Sequence, residues 1–256
     1  MAGVFTKPNV TGYADALICE AEGLESLREV LRDQEVSFLG VPEIHRVSEK
    51  ELKVAAIDSC AATQATLEMF GEGLARMHKA RQPQYGWRRD NYIGLSPQPN
   101  RWSANWGEFF VRDRLGYQVS LIREPSVQAA FENCLTAHKE SLVNWLNEHC
   151  THASLLHGDL WSGNVLFDAE HPWLIDPAVY CGDREADLAM TEMFGGFGSA
   201  FYAAYDRIYP RSAVYLQKRD IYNLYHYLNH YNLFGAGYLE GCRRGFSLLK
   251  QAVTSF

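Results

Sequence analysis

The chain contains no apolar run approaching the ~20 residues that a membrane-spanning helix needs, and its opening MAGVFTKPN has neither the charged nor the apolar region of a secretory leader. A basic face is missing too. Lys and Arg number 24 against 31 Asp and Glu, giving a net charge of −7 with no Lys/Arg cluster, so nucleic acid is a poor partner because phosphate backbones demand positive surface. The six cysteines form no CxxC pair and no tight framework, which excludes the usual zinc ribbons and disulfide scaffolds. Buried free thiols in a reduced, cytoplasmic protein are expected instead. Internal repeats and low-complexity tracts are also absent. What remains is a chain of 256 residues, 47% hydrophobic, able to bury a core in one large domain or two unequal lobes.

Short strand-like pieces at Val4 to Lys7 and Leu52 to Ile57 flank a pattern of Ala16, Leu17, Glu20, Leu24, Leu27, Val30 and Leu31 that has the period of an amphipathic helix. A second helix is expected from Gln64 to His78, ending before Pro83. Further helices are expected at Trp106 to Leu115, Ser126 to Glu148, Ala200 to Ile208, Ala213 to Leu233 and Leu239 to Val253. Between them, Tyr85 to Trp102 (YGWRRDNYIGLSPQPNRW) shows no periodicity and reads as a long ordered loop, a rarity in compact domains unless it has a function.

The densest chemistry lies in LLHGDLWSGNVLFDAEHPWLIDPAVYCGDREADLAM, Leu155 to Met190, where Asp159, Asp176, Asp183 and Asp187 sit among apolar neighbours. A carboxylate at the end of a buried element is costly unless something binds it. His157 to Asn164 has the form H-x-D-x-x-x-x-N, the spacing by which a phosphoryl-transfer loop presents Asp159 as proton acceptor and Asn164 as a magnesium ligand. VLFD and WLID then read as a hairpin that returns Asp176 toward Asn164, giving a hard cation a second oxygen donor. HGD and IDP taken singly are ordinary turn sequences with capping acids. Their order along the chain is what makes a constellation. Asp187 either caps the helix that DREADLA opens or ties down the backbone of the loop at His157, and the two readings are compatible.

HGDLWSGN, DPAVYCGDREADLAMTEMFGGF, GWRRDNYIGLSPQPNRW and YNLYHYLNHYNLFGAGYL strongly resemble the fructosamine kinase (ketosamine 3-kinase) family, a branch of the protein-kinase-like fold near the aminoglycoside and choline kinases. The resemblance is dense from Phe70 to Leu239, and its DREADLAMTE block is absent from protein kinases. It implies an α+β, two-lobed protein-kinase-like fold, with a truncated β-rich nucleotide lobe at residues 1–60 and a mainly helical catalytic lobe at 61–256. The implied activity uses ATP and Mg2+ to phosphorylate the 3-hydroxyl of a ketoamine, a fructosamine or, as often in bacterial-type members, a ribulosamine or erythrulosamine. The adduct then falls apart, so the implied role is deglycation repair. Kinases for other small hydroxyl substrates, such as aminoglycosides or aminoalcohols, and a catalytically silent module of the same shape are the alternatives.

By the same resemblance, Lys7 matches the strand lysine that holds the α- and β-phosphates, Glu20 its helix partner, and the adenine hinge falls near Ile57 to Ser59, nominating Asp58. A strand, a glycine-rich loop and another strand precede that lysine in such kinases; here it is residue 7, so a missing phosphate lid and weak nucleotide affinity are expected. On the substrate side, Asp90, Asn91, Asn100 and Trp102 with Trp161 of the loop form a candidate sugar site of polar groups among aromatic walls, although tryptophans also serve as core. His226 and His230, four apart, read as helix packing rather than a metal pair, since no third ligand accompanies them.

Overall fold

The computed structural model describes residues 3–254. At the amino terminus, strands β1 (Val4–Pro8), β2 (Ile44–Val47) and β3 (Glu51–Ala55) form an antiparallel sheet in the order β1-β3-β2, with Lys7 opposite Leu52 and helix α1 (Ala16–Asp33) inserted between β1 and β2. The helix forms where the apolar spacing predicts it: Leu17, Ala21, Leu24, Leu27 and Leu31 are all buried.

Helix α2 (Gln64–Lys79) starts at a reciprocal cap, in which the Thr66 N–H donates to Thr63 Oγ1 at 3.1 Å and the Thr63 N–H donates to Thr66 Oγ1 at 2.9 Å. A two-residue strand β4 (Arg81–Gln82) follows. The segment expected to be an irregular loop instead carries a small hairpin, β5 (Asn91–Ile93) paired with β6 (Ser96–Gln98), with Gly94 at φ 57° in its turn. Three-residue strands are too short to show alternation, which is why periodicity missed them.

Helix α3 (Trp106–Phe109) passes into a π-helical stretch at Phe110–Gly116 and then into α4 (Tyr117–Ser120), so the regular helix expected over Trp106 to Leu115 is corrected to a wider, longer one. Its wider turns bring Asp113 and Arg114 to fully buried positions. Helix α5 (Pro125–His149) leads to β7 (Ala153–Leu156), every residue of which is buried, and β7 pairs with β4 and with β10 (Tyr180–Gly182). Between β7 and β10 lies the hairpin β8 (Val165–Phe167) and β9 (Pro172–Leu174). Helix α6 (Glu185–Met193) follows, and α7 (Ser199–Ile208), α8 (Tyr215–Phe234) and α9 (Leu239–Thr254) complete the helical part, these three within two residues of the boundaries expected from periodicity.

Two apolar clusters share the interior. One joins α1, α2, the β8–β9 hairpin and α7; the other joins α3, α5, α8 and α9. The chain from Leu156 to Cys181 runs between them, so its polar residues emerge at a seam walled by both. All six thiols are free, but the expectation that they are buried holds only for Cys19, Cys181 and Cys242; Cys60 is exposed and Cys134 and Cys150 are half-buried. No helix among the described residues is long and apolar enough to cross a membrane.

Candidate active site

Strand β7 delivers His157 to a turn whose Gly158 adopts φ 82° and lies so near the segment leading into β10 that a Cβ there would stand 2.0 Å from the Ala178 carbonyl oxygen. This turn hangs on one carboxylate. Asp187 Oδ2 accepts the His157 N–H at 2.7 Å and Oδ1 the Gly158 N–H at 2.9 Å, while the His78 imidazole sits 3.2 Å from Oδ2 and is itself held by Tyr205. Burial pushes the Asp187 carboxyl up, and the hydrogen bond and charge of His78 with the backbone donors outweigh it, leaving the group below the usual carboxylate range. The residue lies in the first turn of α6 without capping it. The His157 ring, fully buried, donates from Nε2 to the Ile175 carbonyl at 2.9 Å and accepts the Asp159 N–H on Nδ1 at 3.3 Å, tying β7, the loop and the return strand together.

Asp159 is thereby presented at the seam. Asn164 donates from Nδ2 both to the Asp159 carbonyl at 2.8 Å and to its Oδ2 at 3.0 Å, which leaves the amide Oδ1 as the atom available to a cation. Burial pushes the Asp159 carboxyl up to about 7; the Asn164 hydrogen bond opposes the rise, and the charges of Asp176 and Asp187 add to it. The hairpin returns the chain as its spacing requires, with the Ile175 N–H donating to the Asn164 carbonyl at 3.1 Å. Asp176 follows in the left-handed region at φ 53°, a conformation rare for a non-glycine residue and concentrated at functional sites.

From the opposite side, Lys7 on β1 places Nζ 2.7 Å from Glu20 Oε2 and 3.1 Å from Asp176 Oδ1. Burial pulls Lys7 down, but the two carboxylates outweigh it and hold it above the usual lysine range. These three side chains divide two adjoining cavities. One, about 310 Å³, is walled by Phe5, Leu24, Leu52, Val54, Leu166 and Ile175; the other, about 270 Å³, holds Asp159, Asn164, Trp161 and the β5–β6 turn. An apolar slot joined through a lysine to a cleft of acids and amides fits a base, its phosphates and a polar acceptor in that order. Asn164 and Asp176 fit magnesium: both offer hard oxygen, and this ion commonly takes one or two protein ligands with the rest from phosphate and water. Among the described residues, no group of three or more His, Cys, Asp or Glu is placed to hold a metal. His230 Nδ1 donates to the His226 carbonyl at 2.7 Å in the helix packing expected of that pair.

Several sequence-nominated residues lie elsewhere. Asp58 is exposed and outside the apolar cavity, whose wall at that point is Ala55, Ala56 and Ile57. Asp90 braces the hairpin by accepting the Asn100 N–H, and Trp102 is half exposed and outside the cleft. Asn91 does line the cleft, but its amide is committed: Nδ2 donates to the Val179 carbonyl, and Oδ1 accepts from Gln98 and Asn100. Asn100 is fully buried and outside the cleft, so of the five candidate sugar-site residues Trp161 alone combines a place in the cleft with a half-buried, uncommitted ring. Its ring meets Phe194 edge-on at 5.7 Å, and Phe194 meets His230 at 5.5 Å. Sequence reading missed Tyr92 and Leu95, which bear no chemical signature until the fold brings them to the cleft.

A fructosamine kinase family profile matches residues 2–252. The chain belongs to the fructosamine kinase family. It is 40% identical over 243 residues to a probable ketoamine kinase of Vibrio parahaemolyticus, covering 92% of this chain and 81% of that one. It is 39% identical over 227 residues to the chloroplastic protein-ribulosamine 3-kinase of Arabidopsis thaliana, covering 86% and 67%. A crystal structure from Thermobifida fusca, provisionally named fructosamine-3-kinase, superposes with TM-score 0.85 at 26% identity over 98% of this chain and 86% of that one. The ternary complex of APH(2'')-IIa with streptomycin and ATP superposes at 0.60 with 16% identity over 97% and 84%, a likeness of fold alone. The fold of this family member is thus the two-lobed, mainly helical α+β fold of the protein-kinase-like enzymes.

Proposed function

We propose that this protein transfers the γ-phosphoryl group of ATP to the 3-hydroxyl of a ketosamine, a ribulosamine or fructosamine adduct of an amine, as a step of deglycation. The observation that carries the reading is the convergence of Asp159, Asn164 and Asp176 from one face and Lys7 with Glu20 from the other, at the junction of the two cavities. Family membership and the names of its relatives supply the substrate class.

In this reading Asp159 accepts the proton of the attacking hydroxyl, and its elevated pKa keeps it basic enough to do so near neutral pH. Lys7 holds the phosphates, Glu20 holds Lys7, and the apolar slot takes the adenine. Asn164 Oδ1 and the Asp176 carboxylate are the protein oxygens that would hold Mg2+, whose chemistry is to neutralise phosphate charge. Trp161 offers its face to the sugar. His157 and Asp187 touch no substrate and act by fixing the loop.

The test offers synthetic N-α-acetyl-ribulosyl-lysine and its fructosyl counterpart with ATP and magnesium, and follows the sugar phosphate by 31P NMR. A 3-phosphate signal from either is expected. Phosphorylation of an aminoglycoside or aminoalcohol with no ketosamine turnover overturns the substrate class, and no transfer to any of them overturns the enzyme.

A further inference from the structure

Helix α1 carries Glu20, so whatever sets the helix sets the Lys7 pair. Its helical neighbour contacts begin with a conspicuous omission. Asp15 stands at the N-cap position, where an aspartate ordinarily accepts one of the free helix N–H groups, a bond whose loss costs about 0.5–2 kcal/mol. Asp15 makes no such bond. Its carboxylate is instead committed across 74 residues of sequence to the Arg89 guanidinium, and it accepts the Tyr92 hydroxyl at 2.6 Å. Arg89 then reaches one helical face further along: its other terminal nitrogen lies 3.4 Å from Glu22 Oε1, and Arg88 lies 3.3 Å from Glu22 Oε2. Between these contacts Cys19 Sγ lies 3.9 Å from the Asp90 carbonyl, and Tyr13 stacks on Tyr92 at 4.7 Å.

Residues 15, 19 and 22 are one stripe of α1, and the segment from Arg88 to Tyr92 covers it. On a neighbouring stripe, Gly23 lets the helix close on the residues after Asp176, since a Cβ there would stand 3.2 Å from Pro177 and 3.3 Å from Val179. A mid-helix glycine costs about 1 kcal/mol against alanine, a concession explained by that close approach. The helix therefore rests on a fixed support at Gly23 and is drawn down at its start by Arg89. We infer that Arg89 is a positioning residue for phosphate binding: by clamping Asp15 and Glu22 it holds α1 where Glu20 can meet Lys7.

The side chains of Arg89, Asp15 and Glu22 are 38%, 41% and 30% exposed, so the clamp is solvent-screened and adjustable rather than a fixture of the core. The nucleotide arm of the test rests on the kinase reading above; the helix arm does not. For Arg89→Ala, hydrogen exchange in nucleotide-free protein should quicken over Ala16 to Asp33 and not over α8, with the melting temperature nearly unchanged. The dissociation constant of a fluorescent ATP analogue should rise about five- to tenfold, the effect of ion pairs worth up to about 1 kcal/mol each. Arg89→Lys should recover part of it. In a Glu20→Gln background Arg89→Ala should add almost nothing to the loss of nucleotide affinity, because both act through one pair. Unchanged exchange in α1 overturns the clamp, and a full additional loss in the Glu20→Gln background overturns its action through Glu20. Wild-type protein that fails to bind the analogue counts against the kinase reading and leaves the exchange result standing on its own.

Discussion

The two faces of the site are built by opposite means. On the helical face, Asp187 and His157 are buried, and the bonds by which they fix the turn that presents Asp159 run to backbone or between side chains sealed from water. On the sheet face, the Lys7 and Glu20 side chains are 28% and 15% exposed, the Asp176 carboxylate they meet from the other face is 46% exposed, and α1 is drawn in by ion pairs open to solvent. Buried bonds are not screened and leave an unpaired group behind when broken, so they fix geometry; exposed ones are screened and cheap to remake. In the proposed reading the chemistry is thus mounted on the rigid side, and the grip on phosphate on the adjustable side.

The largest effect should come from the side chain that the rigid face presents. Asp159→Asn is expected to lower turnover about 10²- to 10⁴-fold, the range of a positioned general base. The same change should raise the melting temperature at pH 8. Asp159 has a folded pKa raised to about 7, so its ionisation opposes folding as pH rises above the unfolded value, and asparagine carries no such charge. More than about a tenth of wild-type turnover would remove it from the role of base.

Next is the support itself. Asp187→Ala should cost about 3–5 kcal/mol in urea unfolding, the effect of removing one partner from a buried charged network. Its depressed pKa means that its contribution is present above the unfolded aspartate value near 3.9 and is lost as pH falls through the lower folded value, so wild type and variant should converge in stability in strong acid. A loss no greater than that of an exposed pair would erase the distinction between the faces.

Asn164→Ala and Asp176→Ala bridge the two sides, and their losses of magnesium-dependent nucleotide affinity should be less than additive in the double variant, since both would hold one ion. Simple additivity, read by nucleotide titration at several magnesium concentrations, would assign them to separate sites. The smallest change in stability belongs to the adjustable face: Lys7→Met should shift unfolding by less than about 1 kcal/mol while weakening nucleotide binding. A Lys7→Met penalty matching that of Asp187→Ala would show the sheet face to be as rigid as the other.

What could be read from the sequence follows the range of the interactions. Helices declared themselves by apolar spacing, and the sequence from His157 to Asp176 announced its loop and hairpin because all its parts are local. The hairpin at Asn91 to Gln98 was illegible because its strands are three residues each, and the π-helix at Phe110 to Gly116 because its apolar pattern is that of any buried helix. The partnerships of His78 with Asp187 and of Arg89 with Asp15 join residues 109 and 74 apart, where no spacing rule reaches. Asp90 and Trp102 show the opposite case: their residue types suit a sugar site, but one braces a turn and the other is half exposed and outside the cleft.

Lys7, Glu20 and Asp176 border both cavities, and that shared wall has a thermodynamic consequence. A ligand that moves these three side chains from one compartment changes the wall met by a ligand in the other, so the two affinities are linked, and linkage requires the factor to be the same in both directions. An acceptor that tightens nucleotide binding must itself be tightened equally by nucleotide, and one that repels the nucleotide must be repelled equally in return.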